Sequence, residues 1–262
     1  MPPSCWAGCL NASNDVTSAP AIRIATYNIH KCRGWDRRVL PARIAEVLRQ
    51  LDADVIALQE VLSLQGGPPE DDQAAYITAQ LTGYSCHFGE NRRLRGGAYG
   101  NAILSRLPVL RARNYDLSWR GRERRGCLRC DLALPAGAVL HLFNVHLGTA
   151  FLERRHQARR LLSLDVLGAP NLPGPRVVVG DFNEWTRGLA SRLMGKQFGT
   201  IDLRRYIRRT RTYPALLPFL HLDHFYFDRQ LLLEDFTLHR DRKALIASDH
   251  LPMVAQFRII AG

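Results

Sequence analysis

Asp181 and Asn183 follow directly on Val177, Val178 and Val179 in the stretch VVVGDFNEW. Successive β-branched residues suit a sheet interior, and in extended chain residues two apart project to the same side, so a buried strand delivers an acid and an amide to one place. The pattern recurs. Asn28 follows AIRIATY, Glu60 follows ADVIALQ, His146 comes late in VLHLFNVHL, Asp223 starts DHFYFD, and Asp249 with His250 precedes LPMVAQFRII. Singly each has an ordinary explanation, since Asn and Asp favour turns and caps. Together they form an inventory. Carboxylates and amides offer the oxygen ligands Mg²⁺ prefers, and two histidines beside an acid–amide pair suit a hydrolase that must manage a water and a phosphate. Zinc chemistry fits poorly, because the chain has no H-E-x-x-H and no cysteine cluster. Cys127 and Cys130 stand three apart in an alternating strand, GCLRCDLAL, and so point to opposite faces. With Cys5, Cys9, Cys32 and Cys86 they read as reduced thiols.

Elements that could position these groups follow from the same patterns. Residues 21–29 read as a first strand. LPARIAEVLRQL then places Ile44, Val47, Leu48 and Leu51 at helical spacing with Pro41 in the first turn, and ADVIALQEV is a second buried strand ending at Glu60. A short helix is expected over 74–81. YSCHF, YGNAILSR, PVLRARNYDLSW, GCLRCDLAL and VLHLFNVHL form an antiparallel run between Gly, Pro and charged turns. Helix returns over 153–167, RVVVGDF is a strand, 188–194 is a short helix and 204–211 a basic loop. LDHFYFD, DFTLHR and LPMVAQFRII close the chain as strands. No internal repeat motif appears, although two halves of mixed helix and sheet would suit a pseudo-symmetric sandwich.

With 262 residues, 46% of them hydrophobic, the chain can bury a sizeable core. The expectation is one catalytic domain over 21–262 after a disordered leader at 1–20. No apolar run approaches the ~20 residues of a membrane helix, and the opening segment lacks a basic start and an apolar stretch. A cytoplasmic monomer without an integral membrane segment is expected. The net charge of +12 is carried by arginine, since Lys31, Lys196 and Lys243 are the only lysines. Guanidinium forks suit phosphate, which makes nucleic acid, nucleotides or anionic lipid headgroups candidate partners, although GC-rich coding also enriches arginine.

TYNIHK, LQEV, YGNAILSR, NVHL, GDFNEW, LDHFYF and SDHLPM, in that order between 22 and 258, closely resemble the endonuclease/exonuclease/phosphatase superfamily. That superfamily includes AP endonucleases, neutral sphingomyelinases and inositol polyphosphate 5-phosphatases. The resemblance implies a four-layer αββα sandwich of two mixed, mainly antiparallel sheets flanked by helices, with the strand-end loops at one rim. It also implies roles. Glu60, helped by Asn28, would bind Mg²⁺, with Mn²⁺ as the alternative ion. Asp181 would orient or deprotonate the attacking water beside Asn183. His250, held by Asp249, and His146, braced by Asp223, would bind the phosphoryl oxygens. Tyr99 and Asn101 would line the phosphate site.

The expected activity is metal-assisted, in-line hydrolysis of a phosphodiester, in nucleic acid or a phospholipid-type headgroup. Two rivals remain: a DNA-repair nuclease of the AP-endonuclease type, and an inactive phosphate-binding protein of this fold. His30 stands where AP endonucleases carry an acid, which lowers the first. TYNIHK followed by RGWD is most similar to small bacterial members, in which glycine is expected where this chain has Cys32. His30, Lys31 and Arg33 thereby become candidate substrate contacts. Of the basic clusters at 91–95, 120–125 and 204–211, Arg124 and Arg125 rank first, because they precede a strand as a short Arg-Gly element does in that bacterial group. ERRHQARR at 153–160 reads as a solvated helix face. TYPALLPFLHLDHFYF reads as a packed loop ahead of Asp223 rather than a membrane-inserting one.

Overall fold

Alternation over the first described residues produces strand β1 (Ala21–Asn28) in the computed structural model, which describes residues 21–170, 172–185, 188–200 and 211–260. Pro41, whose missing N–H costs nothing in a first turn, starts α1 (Pro41–Leu51), and its apolar stripe buries Ile44, Val47, Leu48 and Leu51. β2 (Val55–Leu64) returns parallel to β1. After α2 (Gln73–Ala79) come β3 (Ser85–Leu94), β4 (Gly97–Ser105), β5 (Val109–Asp116), β6 (Gly126–Ala133) and β7 (Val139–His146), each antiparallel to at least one neighbour. A second crossover follows through α3 (Phe151–Leu161) to β8 (Arg176–Asp181), parallel to β7. The remaining described elements are α4 (Leu189–Gln197), β9 (Gly199–Thr200), β10 (Asp223–Phe227), β11 (Leu231–Leu238), α5 (Arg242–Ala247) and β12 (Met253–Ile259).

Two six-stranded mixed sheets result, ordered β11-β12-β1-β2-β4-β3 and β5-β6-β7-β8-β10-β9. They face each other across a core that includes Ile24, Val55, Leu142, Val177, Val179 and Phe257. Residues of α1, α2 and α5 cover the outer face of the first sheet, and those of α3 and α4 the outer face of the second. This is the expected four-layer α/β sandwich. Cys127 packs into the outer cluster and Cys130 into the inter-sheet cluster, on opposite faces as the alternation required. A polar tie crosses the interior. Gln59 Nε2 donates to Asn144 Oδ1 at 2.7 Å, and Asn144 Nδ2 donates to the carbonyls of Leu58 and Ala102. Buried hydrogen bonds of this kind fix one sheet against the other.

Several boundaries differ from expectation. β11 and β12 return to the first sheet, so the two sheets are not the two halves of the chain. β2 continues past Glu60 to Leu64. The third helix covers 151–161 rather than 153–167, and α5, capped by Asp241 on the N–H of Ala244, is too short to show periodicity in sequence. The leader at 1–20, with Cys5 and Cys9, and nearly all of the basic loop 204–211 lie outside the described residues. No helix among the described residues is long and apolar enough to cross a membrane.

Candidate active site

Parallel pairing gathers the functional groups. In β1 and β2 Asn28 lies beside Gln59, and in β7 and β8 His146 lies beside Asp181, so both crossovers end at the same rim. Glu60 arrives by a different device from the others. The register of β2 on β4 shifts between Leu58 and Val61, and Glu60 takes φ 57° there. A bulge in a continuing strand, not a strand end, aims this carboxylate. Asn183 also departs from the extended geometry expected of it. β8 stops at Asp181, Asn183 has φ 49°, and its N–H donates to Asp181 Oδ1 at 2.8 Å, a local turn that folds the amide back over the site. His30, Lys31 and Cys32 form a third left-handed stretch, with φ of 46°, 55° and 59°. Non-glycine residues in this region carry strain, and it collects around one pocket. Gly180 makes the approach possible: at φ 132° a Cβ there would lie 2.0 Å from the Val145 carbonyl oxygen.

The two sheets meet through side chains. Asn28 Nδ2 donates to Asp181 Oδ2 at 3.0 Å and to Glu60 Oε1 at 3.3 Å, while its Oδ1 accepts the His30 N–H at 3.0 Å. The amide therefore shows its nitrogen to both carboxylates. Turning it over would strand the His30 N–H and set oxygen against oxygen. Asn28 is thus held between Glu60 and Asp181 through its amide nitrogen, with its oxygen turned to the His30 N–H.

The histidine pairings are corrected. His250 Nδ1 lies 2.8 Å from Asp223 Oδ2, so Asp223 holds His250, and Asp249 instead faces His30 Nδ1 at 3.5 Å. His146 has Arg125 Nη1 at 3.4 Å from Nδ1 and Asn183 Nδ2 at 3.2 Å from Nε2. Asp181 Oδ2 is 3.6 Å from His250 Nε2 and 3.7 Å from His146 Nε2. Burial disfavours charge on both rings, but the outcomes differ. Asp223 and Asp181 override burial at His250 and raise it to about 10, making it an imidazolium at neutral pH. At His146 burial is reinforced by Arg125, and the value falls to about 3. A protonated ring between two donors would also lack an acceptor. Burial, with Asp223 close by, pushes Asp181 above the usual carboxylate range despite His250 and two donated hydrogen bonds.

A stability prediction follows from His146. Between about pH 6.5 and 3 the unfolded chain binds a proton at this histidine that the folded chain refuses, so stability falls as pH drops through that window, by up to about 1.4 kcal/mol per pH unit. Urea midpoints measured across the window should fall less steeply for His146→Gln.

Lys31 Nζ sits 2.5 Å from Glu60 Oε2, and its backbone is pinned by Gln73, whose Nε2 donates to the Lys31 carbonyl at 2.7 Å. Burial works to raise Glu60, but the fields of His146 and Lys31 outweigh it and hold the carboxyl at about 2. With His146 neutral, the standing charge is that of Lys31. Tyr99 is buried beneath Lys31, whose ammonium lies 5.3 Å from the ring centroid. Arg125 is buried beside His146 and pairs with Glu123 at 3.0 Å, whereas Arg124 stays at the surface, 3.8 Å from Asp116. Asn101 also ties the sheets together. It is wholly buried and donates to the carbonyls of Gly126 and Asn144.

Sequence reasoning missed three positioning residues. Gln73 fixes the Lys31 turn. Ser248 Oγ donates to the Asn28 carbonyl at 2.7 Å and accepts the His250 N–H at 3.2 Å. The ring of Tyr213 packs 5.0 Å from that of His250. The serine was readable within ASDH, next to an acid and a histidine; Gln73 and Tyr213 carried no local signal.

Two groups offer themselves to a metal ion. Asp181, Asp223 and His250 bring ligand-type atoms within 4.8 Å of one another. His250, however, commits Nδ1 to Asp223, and an ion at Nε2 would have to displace the proton that Asp223 and Asp181 favour on this ring. Glu60 fits a hard cation better, as an oxygen donor held ionised well below the usual carboxylate range.

Comparison with known proteins agrees with the fold. The uncharacterized protein YbhP of Escherichia coli K12 is 30% identical over 255 residues, covering 94% of this chain and 99% of that protein. An endonuclease/exonuclease/phosphatase from Beutenbergia cavernae superposes with a TM-score of 0.73 at 23% identity, over 92% of this chain and 72% of that one. The mannosyl-6-phosphatase Bt3783 of Bacteroides thetaiotaomicron superposes at 0.72 with 17% identity, over 90% of this chain and 99% of that one. Residues 25–250, from β1 to His250, match the family as a whole, and the chain belongs to the endonuclease/exonuclease/phosphatase family.

Proposed function

We propose that this chain is a Mg²⁺-dependent phosphodiesterase, residues 21–262 acting as one catalytic domain and as a monomer, with Mn²⁺ as the alternative ion. The observation that carries the reading is the position of Asp181, between two histidines of opposite charge state and bridged by Asn28 to Glu60. A buried carboxylate with a raised pKa is a competent base for a water near neutral pH, and Asn183 aligns that water. His250, kept protonated by Asp223, holds a phosphoryl oxygen and offsets the charge that develops on it. His146 lies on the side of a second phosphoryl oxygen, Tyr99 and Arg125 close the phosphate side, and His30 and Arg124 stand further out toward the substrate. Glu60, beside Asn28, would hold a divalent cation, which would supply Lewis-acid neutralisation of the phosphate.

His30, standing where AP endonucleases carry an acid, argues against a specific DNA-repair role. Hydrolysis of bis-p-nitrophenyl phosphate in Mg²⁺, lost in EDTA and restored by Mg²⁺, tests the reading; activity that persists in EDTA refutes the metal assignment. Glu60→Gln should raise the Mg²⁺ concentration for half-maximal rate by about tenfold or more, read from metal titrations of the initial rate. Incision of abasic duplex far faster than simple diesters would favour the repair nuclease instead.

A further inference from the structure

Exposed apolar side chains are unevenly placed on this molecule. Apart from Leu110, Leu164 and Leu232, the exposed large hydrophobics of the described residues lie on the segments that enter or leave the site-bearing strand ends. Trp35, Val39 and Leu40 follow β1. Phe151 and Leu152 follow β7, and Trp185 follows Asn183. Leu216, Leu217 and Phe219 precede Asp223, and Ile246, whose carbonyl accepts the Trp35 N–H, precedes Asp249. The segment 212–220 was expected to pack. It is instead stapled to the site by Ala215 N–H donating to the Asp249 carbonyl and Leu251 N–H donating to the Thr212 carbonyl, and it turns its tip outward, with Leu217 75% exposed. Scattered surface leucines need no explanation; a ring of them around one pocket does.

Arginines interleave with this ring. Arg33, Arg37 and Arg38 flank Trp35, and Arg120 and Arg122 follow Trp119; all five are exposed and form no ion pair with any described residue. Trp119, Arg120, Arg122, Ala150, Phe151 and Leu152 together line a surface cleft of about 400 Å³. The 117–125 loop bearing that cleft is tied to the site through Arg125, whose carbonyl accepts the Leu117 N–H and whose guanidinium reaches His146.

We propose that this rim docks on an anionic lipid surface, with the apolar tips entering the headgroup region, the arginines meeting lipid phosphates, and the pocket facing a headgroup diester in that plane. Apolar anchors interleaved with cations are the combination that anionic bilayer interfaces select, while neither alone gives stable docking. Single-stranded nucleic acid would use the arginines and could stack on Trp35, Trp185 or Phe219, but the aliphatic side chains that share the rim, Val39, Leu40, Leu152, Leu216, Leu217 and Ile246, offer no stacking face to bases and suit the apolar side of a lipid interface. A protein partner seated on the ring would cover the mouth through which substrate must enter. The docking surface stands without any catalytic assumption; the choice of lipid headgroup as substrate rests on the phosphodiesterase reading above.

The test uses the full chain and co-sedimentation with phosphatidylcholine vesicles, with and without phosphatidylglycerol. The wild type should bind the anionic vesicles about tenfold or more tightly than the neutral ones. L216S/L217S/F219S should lose about tenfold of that binding and keep its kcat on bis-p-nitrophenyl phosphate. R120Q/R122Q should lose most of the preference for anionic vesicles. If the triple variant does not fold, F151S/L152S carries the same prediction from another segment. Absence of vesicle binding by the wild type, or unchanged binding by these apolar variants, overturns the proposal. Tighter binding to a single-stranded oligonucleotide, weakened by the same apolar substitutions, assigns the rim to nucleic acid and overturns it too. Docking without any hydrolysis would refute the activity and leave the docking surface standing, and hydrolysis of the soluble diester without docking would do the reverse.

Discussion

Asp181→Asn should lower kcat on a soluble diester by about 10³-fold while KM and the urea midpoint change little. The substitution preserves volume and leaves one oxygen to accept either the Asn183 N–H or the Asn28 amide, so the turn and Asn28 stay close to their places. What it removes is basicity. Asp181 is the carboxylate that both histidines approach, and burial has already raised its affinity for a proton. An amide there can still orient a water but cannot accept its proton. A loss below tenfold, in a variant shown to be folded by circular dichroism, would mean that another group is the base.

His250→Gln should cost about 10²–10³ in kcat, and Asp223→Asn should cost nearly as much, although Asp223 touches no substrate in the proposed arrangement. Asp223 is a positioning residue whose carboxylate fixes the ring and keeps it protonated. Groups that act as one unit are not additive, so the double variant should be little worse than His250→Gln alone. A structural role for Asp223 would instead add its cost to any background. The pH profile separates the two further. Loss of the Asp223 charge lowers the His250 pKa, so activity of Asp223→Asn should decline at lower pH than in the wild type, measured as the basic limb of kcat. Asp249→Asn should move that limb in the same direction but by less, because Asp249 also raises His250 yet makes no hydrogen bond to its ring and faces His30.

Much of this site was legible because sheets leave simple traces. β-Branched runs ending in Asn, His or Asp marked β1, β7 and β8, and parallel pairing then brought their ends together. The pairing of Asp249 with His250 failed for an equally simple reason. Asp249 turns to His30 from the bend that carries both residues, while Asp223, distant in sequence and in the facing sheet, holds the ring. The bulge at Glu60 left no trace because no glycine marks it. Asn101 shows the limit of pattern in the other direction: alternation and a motif can place an amide inside, but only the packed sheets decide that it bonds Gly126 and Asn144. Apolar content in 212–220 implied burial, whereas hydrogen bonds to 249–251 hold the segment with its leucines outward.

Division of labour between the sheets has a mechanical corollary. Glu60, Asn28 and His250 belong to one slab, and Asp181, Asn183, His146 and Asp223 to the other. Turnover is therefore a gauge of how well the slabs are seated: a slip of an ångström along their shared plane would separate the base from its cation while leaving every helix and strand intact. Such slippage would silence the protein before any spectroscopic sign of unfolding, and the buried amides of Gln59, Asn101 and Asn144 are the dowels that oppose it.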